Sequence, residues 1–259
     1  MSGRFEAGLA FAAGLRAGDK VTLGWSSIPS PLNAAALALG GFACVCTDLQ
    51  HGMHDQTSMV ASMQAIHTAH KQPGLRIPVG RFDLASHAVD AGAQVIIAPM
   101  INTARDAEAL VAATKYPPIG ERSWGPALAM DLWGVVPAEY LSKANDLIIT
   151  LAMIETVEAM DNLDAILAVD GVDGVFVGPS DLSITLSKGE GLQPGADHVL
   201  AASAQIGRKS RDVGKIAGVY AFDIDKAHSF FDDGFTVVAV GSDTLALKAF
   251  AAGSAVVPD

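Results

Sequence analysis

Eight short apolar, β-branched runs recur along the chain: VTLGWSS (21–27), CVCTDL (44–49), RIPVG (76–80), VIIAPM (95–100), LIITLAMIE (147–155), GVFVGP (174–179), IAGVYAF (216–222) and VVAVGSD (237–243). They show little polar alternation, which fits strands buried on both faces of a parallel sheet. Most are followed by helical periodicity. Ser30–Pro31 puts a capping side chain ahead of a first-turn proline; Leu32, Ala35, Ala36 and Leu39 then define an apolar face that ends at Gly40–Gly41. Thr103 caps a helix whose Ala107, Leu110, Val111 and Thr114 share a face, stopped by Pro117–Pro118. Met160, Leu163, Ile166 and Leu167 form a third stripe before Gly171, and Phe230 and Phe231 a fourth before Gly234.

Eight strands alternating with helices predict a single (β/α)8 TIM barrel over residues 1–259, because closure leaves no strand edge unpaired. Arg76 is read as opening the third strand. Segment 115–146, rich in proline and glycine, is read as a long irregular excursion serving as a lid or an interface. The last helix, LALKAFAAG, reads as short for a barrel-closing element, which predicts that a partner chain completes its packing.

Composition narrows the functional classes. Half the residues are hydrophobic, enough for one sizeable core. A net charge of −11 argues against nucleic-acid partners, whose phosphates need a cationic surface. No apolar stretch reaches membrane-spanning length, and glycines and Glu6 interrupt the N-terminal one, so a cytoplasmic protein with no membrane partner is expected. Cys44 and Cys46 are expected as buried thiols on opposite faces of a strand, with no disulfide between them.

Barrel enzymes carry their chemistry at the C-terminal ends of the strands. The polar residues there are Trp25, Ser26, Asp48, Gln50, His51, Glu155, Ser180, Asp181, Tyr220, Asp223 and Asp243, with Arg76 inside the third run. By spacing alone, Glu155 and Asp181 read equally well as ligands of a hard divalent cation or as a structural pair. The turn Gly178–Pro179–Ser180–Asp181 adds weight to the metal, since a glycine there admits close backbone approach and a helix start offers N–H groups to a carboxylate. His51 beside Asp48 reads as a general base held by a carboxylate, or as a solvated turn histidine. His54 reads as solvated. Arg76 reads as an oxyanion stabiliser or as an ordinary strand-edge arginine. No lysine falls at a strand end, which disfavours an imine mechanism, and no GxGxxG follows the first strand.

TDLQHG, RIPVG, KYPPIGERSWGP, MIETVEAMDNLDAI, GVDGVFVGPSDLS and VAVGSDT together resemble the class II pyruvate aldolases, of the 4-hydroxy-2-oxoheptanedioate and 2-keto-3-deoxy-sugar-acid type. The resemblance implies reversible aldol cleavage of 4-hydroxy-2-keto acids to pyruvate or hydroxypyruvate plus an aldehyde, through an enolate. It implies a divalent ion (Mg2+, Mn2+ or Co2+) on Glu155 and Asp181, with His51, paired with Asp48, managing the proton. Arg76 would hold the keto oxygen, and Gly178, Ser180 and Asp181 the substrate carboxylate, with Trp25 and Tyr220 also lining the substrate site. Asp90 matches an acidic residue presented to a neighbouring subunit, in a hexamer of paired trimers that exchange the last helix. Two positions depart from the family pattern: Gln50 replaces the usual glutamate, and Met153 stands where several relatives carry glutamine. A CoA-ester lyase of the malyl or citramalyl type is an alternative, disfavoured because 17 Lys and Arg residues supply no basic groove. A non-catalytic keto-acid binder has Gln50 as its only support.

Overall fold

All eight strands form, and they close on one another. The computed structural model describes residues 3–254. In chain order the elements are α1 (Gly3–Ala17), β1 (Val21–Ser26), α2 (Pro31–Leu39), β2 (Cys44–Asp48), α3 (Gln56–Thr68), β3 (Gln72–Arg76), α4 (Phe82–Asp90), β4 (Val95–Ala98), α5 (Ala104–Thr114), α6 (Ala127–Trp133), α7 (Pro137–Leu147), β5 (Ile149–Ile154), α8 (Val157–Asp161), α9 (Leu163–Leu167), β6 (Gly174–Val177), α10 (Pro179–Leu186), α11 (Asp197–Asp212), β7 (Ile216–Ala221), α12 (Ile224–Asp232), β8 (Val237–Val240) and α13 (Asp243–Ser254). Each strand pairs in parallel with the next, and Val21 opposite Val237 closes β1 on β8. The fold is the expected (β/α)8 barrel.

Strand side chains alternate between two layers, as the period of two requires. Val95, Ile97, Ile149, Leu151 and Met153 fill the barrel interior, while Ile96, Ala98, Ala152 and Ile154 pack outward against the helices. Strand residues two apart share a face, so Cys44 and Cys46 both point into the interior, which corrects the opposite-face expectation. Both remain free, buried thiols. Ala12 and Leu15 of α1 belong to the same interior cluster, so this helix plugs the N-terminal end of the barrel. A buried ion cluster ties that end down: Asp173 takes Arg16 at 2.8 Å and Lys115 at 2.9 Å.

The third strand lies four residues earlier than expected. Arg76 ends β3 rather than opening a strand at 76–80. Pro73 and Gly74 hide the strand in the sequence, since both usually mark turns. Here the Pro73 carbonyl accepts from Gln94 N–H just before β4 begins to pair, so its missing donor breaks no ladder bond there. Segment 115–146 is not irregular throughout, since it contains α6 and α7. The α2 face is also corrected. Ser30 caps the helix as expected, but Ala34 and Ala38 are the buried residues, and Leu32 and Leu39 face outward. The last helix has 12 residues and is not short. The Ala107–Thr114 face is buried behind the Thr103 cap, as expected.

At the N-terminal end, α3 closes in a left-handed turn at His70 (φ 57), with His70 N–H on His67 O and Lys71 N–H on Ile66 O. His67 is 2% exposed, bonds the Gly92 carbonyl at 3.0 Å and meets the Trp133 ring edge-on. Burial pushes its imidazole down to about 4, the Gly92 carbonyl opposes that shift, and the Arg4 charge adds to it. The native state therefore keeps His67 neutral where the unfolded chain binds a proton. Stability is lost as pH falls from about 6.5 towards 4, by about 3 kcal/mol from this group. Denaturant melts between pH 7 and 4 should show that loss in the wild type and a flatter dependence in His67→Gln. Equal slopes would refute the assignment.

Candidate active site

The C-terminal mouth holds a cavity of about 240 Å3. Trp25, Asp48, His51, Arg76, Glu155, Gly178, Ser180, Asp181 and Tyr220 all line it, together with Ser27, Met153, Phe176, Pro179, Phe222 and Ser242. Nine of the ten residues expected in the site thus converge. The tenth, Asp90, stands apart in a buried-cation contact with Arg122 of the 115–146 segment.

Asp48 organises one wall. Its two oxygens take Arg76 in a fork, Nε at 2.9 Å and Nη2 at 2.6 Å. The Trp25 indole N–H donates at 3.3 Å, as do the backbone N–H groups of Gln50 at 3.0 Å and His51 at 3.3 Å. Burial pushes the Asp48 carboxyl up, but Arg76, through hydrogen bonds and charge, and then the His51 and Gln50 N–H groups, outweigh it and hold it below the usual carboxylate range. The same pairing raises Arg76 against its own burial. The guanidinium also lies over Trp25, 5.0 Å from the ring centroid, and Trp25 packs on Phe176 and Tyr220. Arg76 is therefore locked as a fixed cation at the mouth.

This geometry corrects one expectation. Asp48 does not hold the His51 imidazole: it accepts the His51 backbone N–H, and its oxygens are filled by Arg76, Trp25 and two main-chain donors. The imidazole stands exposed at the cavity rim.

Glu155 forms the opposite wall. It is 1% exposed, and Oε1 accepts the Met100 N–H at 2.8 Å. No hydrogen bond among the described residues reaches Oε2. Burial pushes this carboxyl up to about 7; Asp181 pushes the same way, while Met100 N–H and Arg76 oppose it. Met100 itself sits in the left-handed region (φ 54), strain that serves to aim its N–H at the carboxylate. Gly178 is required by close approach, because a Cβ there would collide with Glu155 Oε2. Asp181 lies in the first turn of α10, behind Pro179. Among the described residues no group of three or more His, Cys, Asp or Glu side chains is placed to hold a metal, so no third side chain of these types joins the carboxylate pair.

Two groups escaped sequence reasoning, Met100 and His54. Met100 acts through its backbone, which no residue type announces. His54 is buried, not solvated: its Nε2 meets Ser26 Oγ at 3.1 Å, and Ser26 Oγ meets Asp243 Oδ2 at 3.3 Å. Asp243 also takes the Ser27 and Ile28 N–H groups, fixing the loop after β1. Asp223, read as a strand-end polar group, is the exposed N-cap of α12.

A parallel eight-stranded barrel whose mouth collects three carboxylates, one of them locking a guanidinium, and a rim imidazole defines a class of barrel enzymes acting on small oxygen-rich substrates. Residues 22–249 match the family model described as HpcH/HpaI aldolase/citrate lyase, and the chain belongs to that family. It is 38% identical over 235 residues to the hydroxypyruvate/pyruvate aldolase of Pseudomonas aeruginosa, covering 90% of this chain and 87% of that one. It is 37% identical over 238 residues to the 4-hydroxy-2-oxo-heptane-1,7-dioate aldolase of Escherichia coli (strain SE11), covering 92% and 90%. Among solved structures, the HpcH/HpaI aldolase from Desulfitobacterium hafniense DCB-2 superposes with a TM-score of 0.85 at 27% identity, covering 93% of each chain.

Proposed function

We propose that this chain is a metal-dependent aldolase that cleaves 4-hydroxy-2-keto acids reversibly to pyruvate or hydroxypyruvate and an aldehyde. The observation that carries the reading is the mouth itself: Glu155 and Asp181 converge with Arg76 on one cavity, and Glu155 has an oxygen with no protein partner. The aldolases named among its relatives, 37–38% identical over nine-tenths of the chain, support the same activity.

The donor set fits a hard divalent cation such as Mg2+, Mn2+ or Co2+. Both side chains offer carboxylate oxygen, and a cation beside Glu155 would relieve the buried charge that raises its carboxyl to about 7. Bound there, the ion would act as a Lewis acid on the keto group. The protein supplies the rest. Arg76 faces the keto oxygen with a fixed positive charge, so charge developing there meets a preorganised donor. The first-turn N–H groups of α10 around Ser180 and Asp181 suit the substrate carboxylate. His51, at the rim, takes and returns the proton of the C4 hydroxyl, by itself or through one water. Trp25, Phe176 and Met153 exclude water from one side of the cavity. Tyr220, Phe222 and Ser242 form the remaining side, where the aldehyde portion would lie.

The site is completed by neighbouring subunits in this reading. Leu245, Leu247 and Phe250 of α13 are exposed, as are Leu32 and Leu39 of α2. These surfaces support a hexamer of paired trimers in which α13 packs on a neighbour and Asp90 reaches a neighbour's mouth. No helix among the described residues is long and apolar enough to cross a membrane.

Metal removal tests the reading. Pyruvate release from a 4-hydroxy-2-keto acid should fall to background after exhaustive chelation and return on adding Mg2+, Mn2+ or Co2+. Full activity in metal-free protein would overturn it.

A further inference from the structure

At the opposite end of the barrel, a second cavity of about 330 Å3 lies between the first turn of α1, the end of α3 and the start of β3. Gln72 begins the strand that Arg76 ends, so this cavity lies about 13 Å from the mouth along β3. Arg4, His67, His70 and Lys71 line it, and no acidic side chain does. Arg4 and Lys71 are thus two permanent cations with no acid beside them in a chain of net charge −11, while His67 stays neutral.

Arg4 and Lys71 are half-buried, yet neither enters an ion pair or a side-chain hydrogen bond among the described residues. Most of the protein's other half-buried or buried cations are held by the protein: Arg16, Arg76, Lys115, Arg122 and Lys209 each meet a carboxylate, Arg211 and Lys215 meet main-chain carbonyls, and Lys226 shares the open state of Arg4 and Lys71. Gln72 is 8% exposed and lines the same cavity. Two cations without a counter-charge around one cavity are free to hold an anion there. The N-terminal turn of α1 adds its own positive potential on the same wall.

We propose that this N-terminal cavity is a second binding site, for a small dianion of the phosphate or phosphate-monoester class. Two permanent cations with no acid beside them balance a dianion. The Arg4 guanidinium suits two oxygens of a tetrahedral group, the Lys71 ammonium a third, and the Gln72 amide N–H2 an additional contact. The site is independent of the mouth and of the reaction proposed there.

Inorganic phosphate is the probe. The chain has three tryptophans, Trp25 at the mouth, Trp133 at this cavity and Trp124 at neither. Protein carrying 5-fluorotryptophan, with resonances assigned by single Trp→Phe variants, is titrated with phosphate. The Trp133 fluorine signal should move saturably while the Trp25 signal holds. The double variant Arg4→Gln/Lys71→Gln, both at half-exposed positions, should bind phosphate about tenfold or more weakly. Lys71→Met alone should show a smaller loss. A Trp133 signal that never saturates, a shift confined to Trp25, or unchanged affinity in the double variant would overturn the proposal.

Discussion

Replacing Glu155 by glutamine is expected to cut aldol turnover roughly 10³-fold while leaving the barrel intact. The amide is isosteric, and its oxygen can still accept the Met100 N–H that holds Oε1 at 2.8 Å. What disappears is the charge. In the metal-free wild type that charge is a burden, because burial and Asp181 raise the carboxyl to about 7. The folded state therefore holds a proton more tightly than the unfolded chain. Its stability falls as pH rises from the ordinary carboxylate range through about 7, and the glutamine variant escapes that loss. Metal-free Glu155→Gln should thus melt no lower than metal-free wild type at neutral pH. With metal the order reverses: the wild type gains stability from a bound divalent ion and the variant gains little. Turnover by pyruvate release, with melting curves with and without Mn2+, separates the outcomes. An unimpaired rate in the variant would remove Glu155 from the ligand set.

Much of this site is legible in the sequence because it depends on residue type at strand ends. The runs ending at Glu155 and at Gly178–Asp181 deliver their carboxylates to the mouth by strand parity and loop shortness alone. Partnership is what the sequence hides. Asp48 beside His51 reads as a base and its carboxylate, but three-dimensional register sets Asp48 opposite Arg76 on the paired strand, and the guanidinium fork fills it. Arg76 is named as a candidate by its sequence, but its place at the end of a strand is hidden because Pro73 and Gly74 disguise β3. The Met100 N–H and the chain from His54 through Ser26 to Asp243 join groups from distant segments, and no local pattern encodes such contacts. The α2 face failed for another reason. Leu32 and Leu39 are as apolar as a core face demands, yet Ala34 and Ala38 permit the closer approach to the barrel, and the leucines are left outward.

That partnership makes Arg76 the second decisive position. Arg76→Lys keeps a positive charge opposite Asp48, so no buried carboxylate is left unpaired and the fold should hold. A lysine cannot reproduce the two-pronged contact at 2.9 and 2.6 Å, nor lie flat over Trp25. The ammonium is then free to wander from the position facing the keto oxygen. kcat is expected to fall roughly 10²-fold, with a smaller change in KM for the keto acid, because the lost interaction strengthens as charge develops. Asp48→Asn should produce a loss of the same kind, since in this geometry Asp48 acts by positioning Arg76 and not by orienting the His51 imidazole. The double variant should therefore be little worse than either single one. Kinetics on the three proteins decide the matter: losses that multiply would mean that Asp48 and Arg76 serve the reaction separately, and that Asp48 has a partner other than the guanidinium it grips in the resting enzyme.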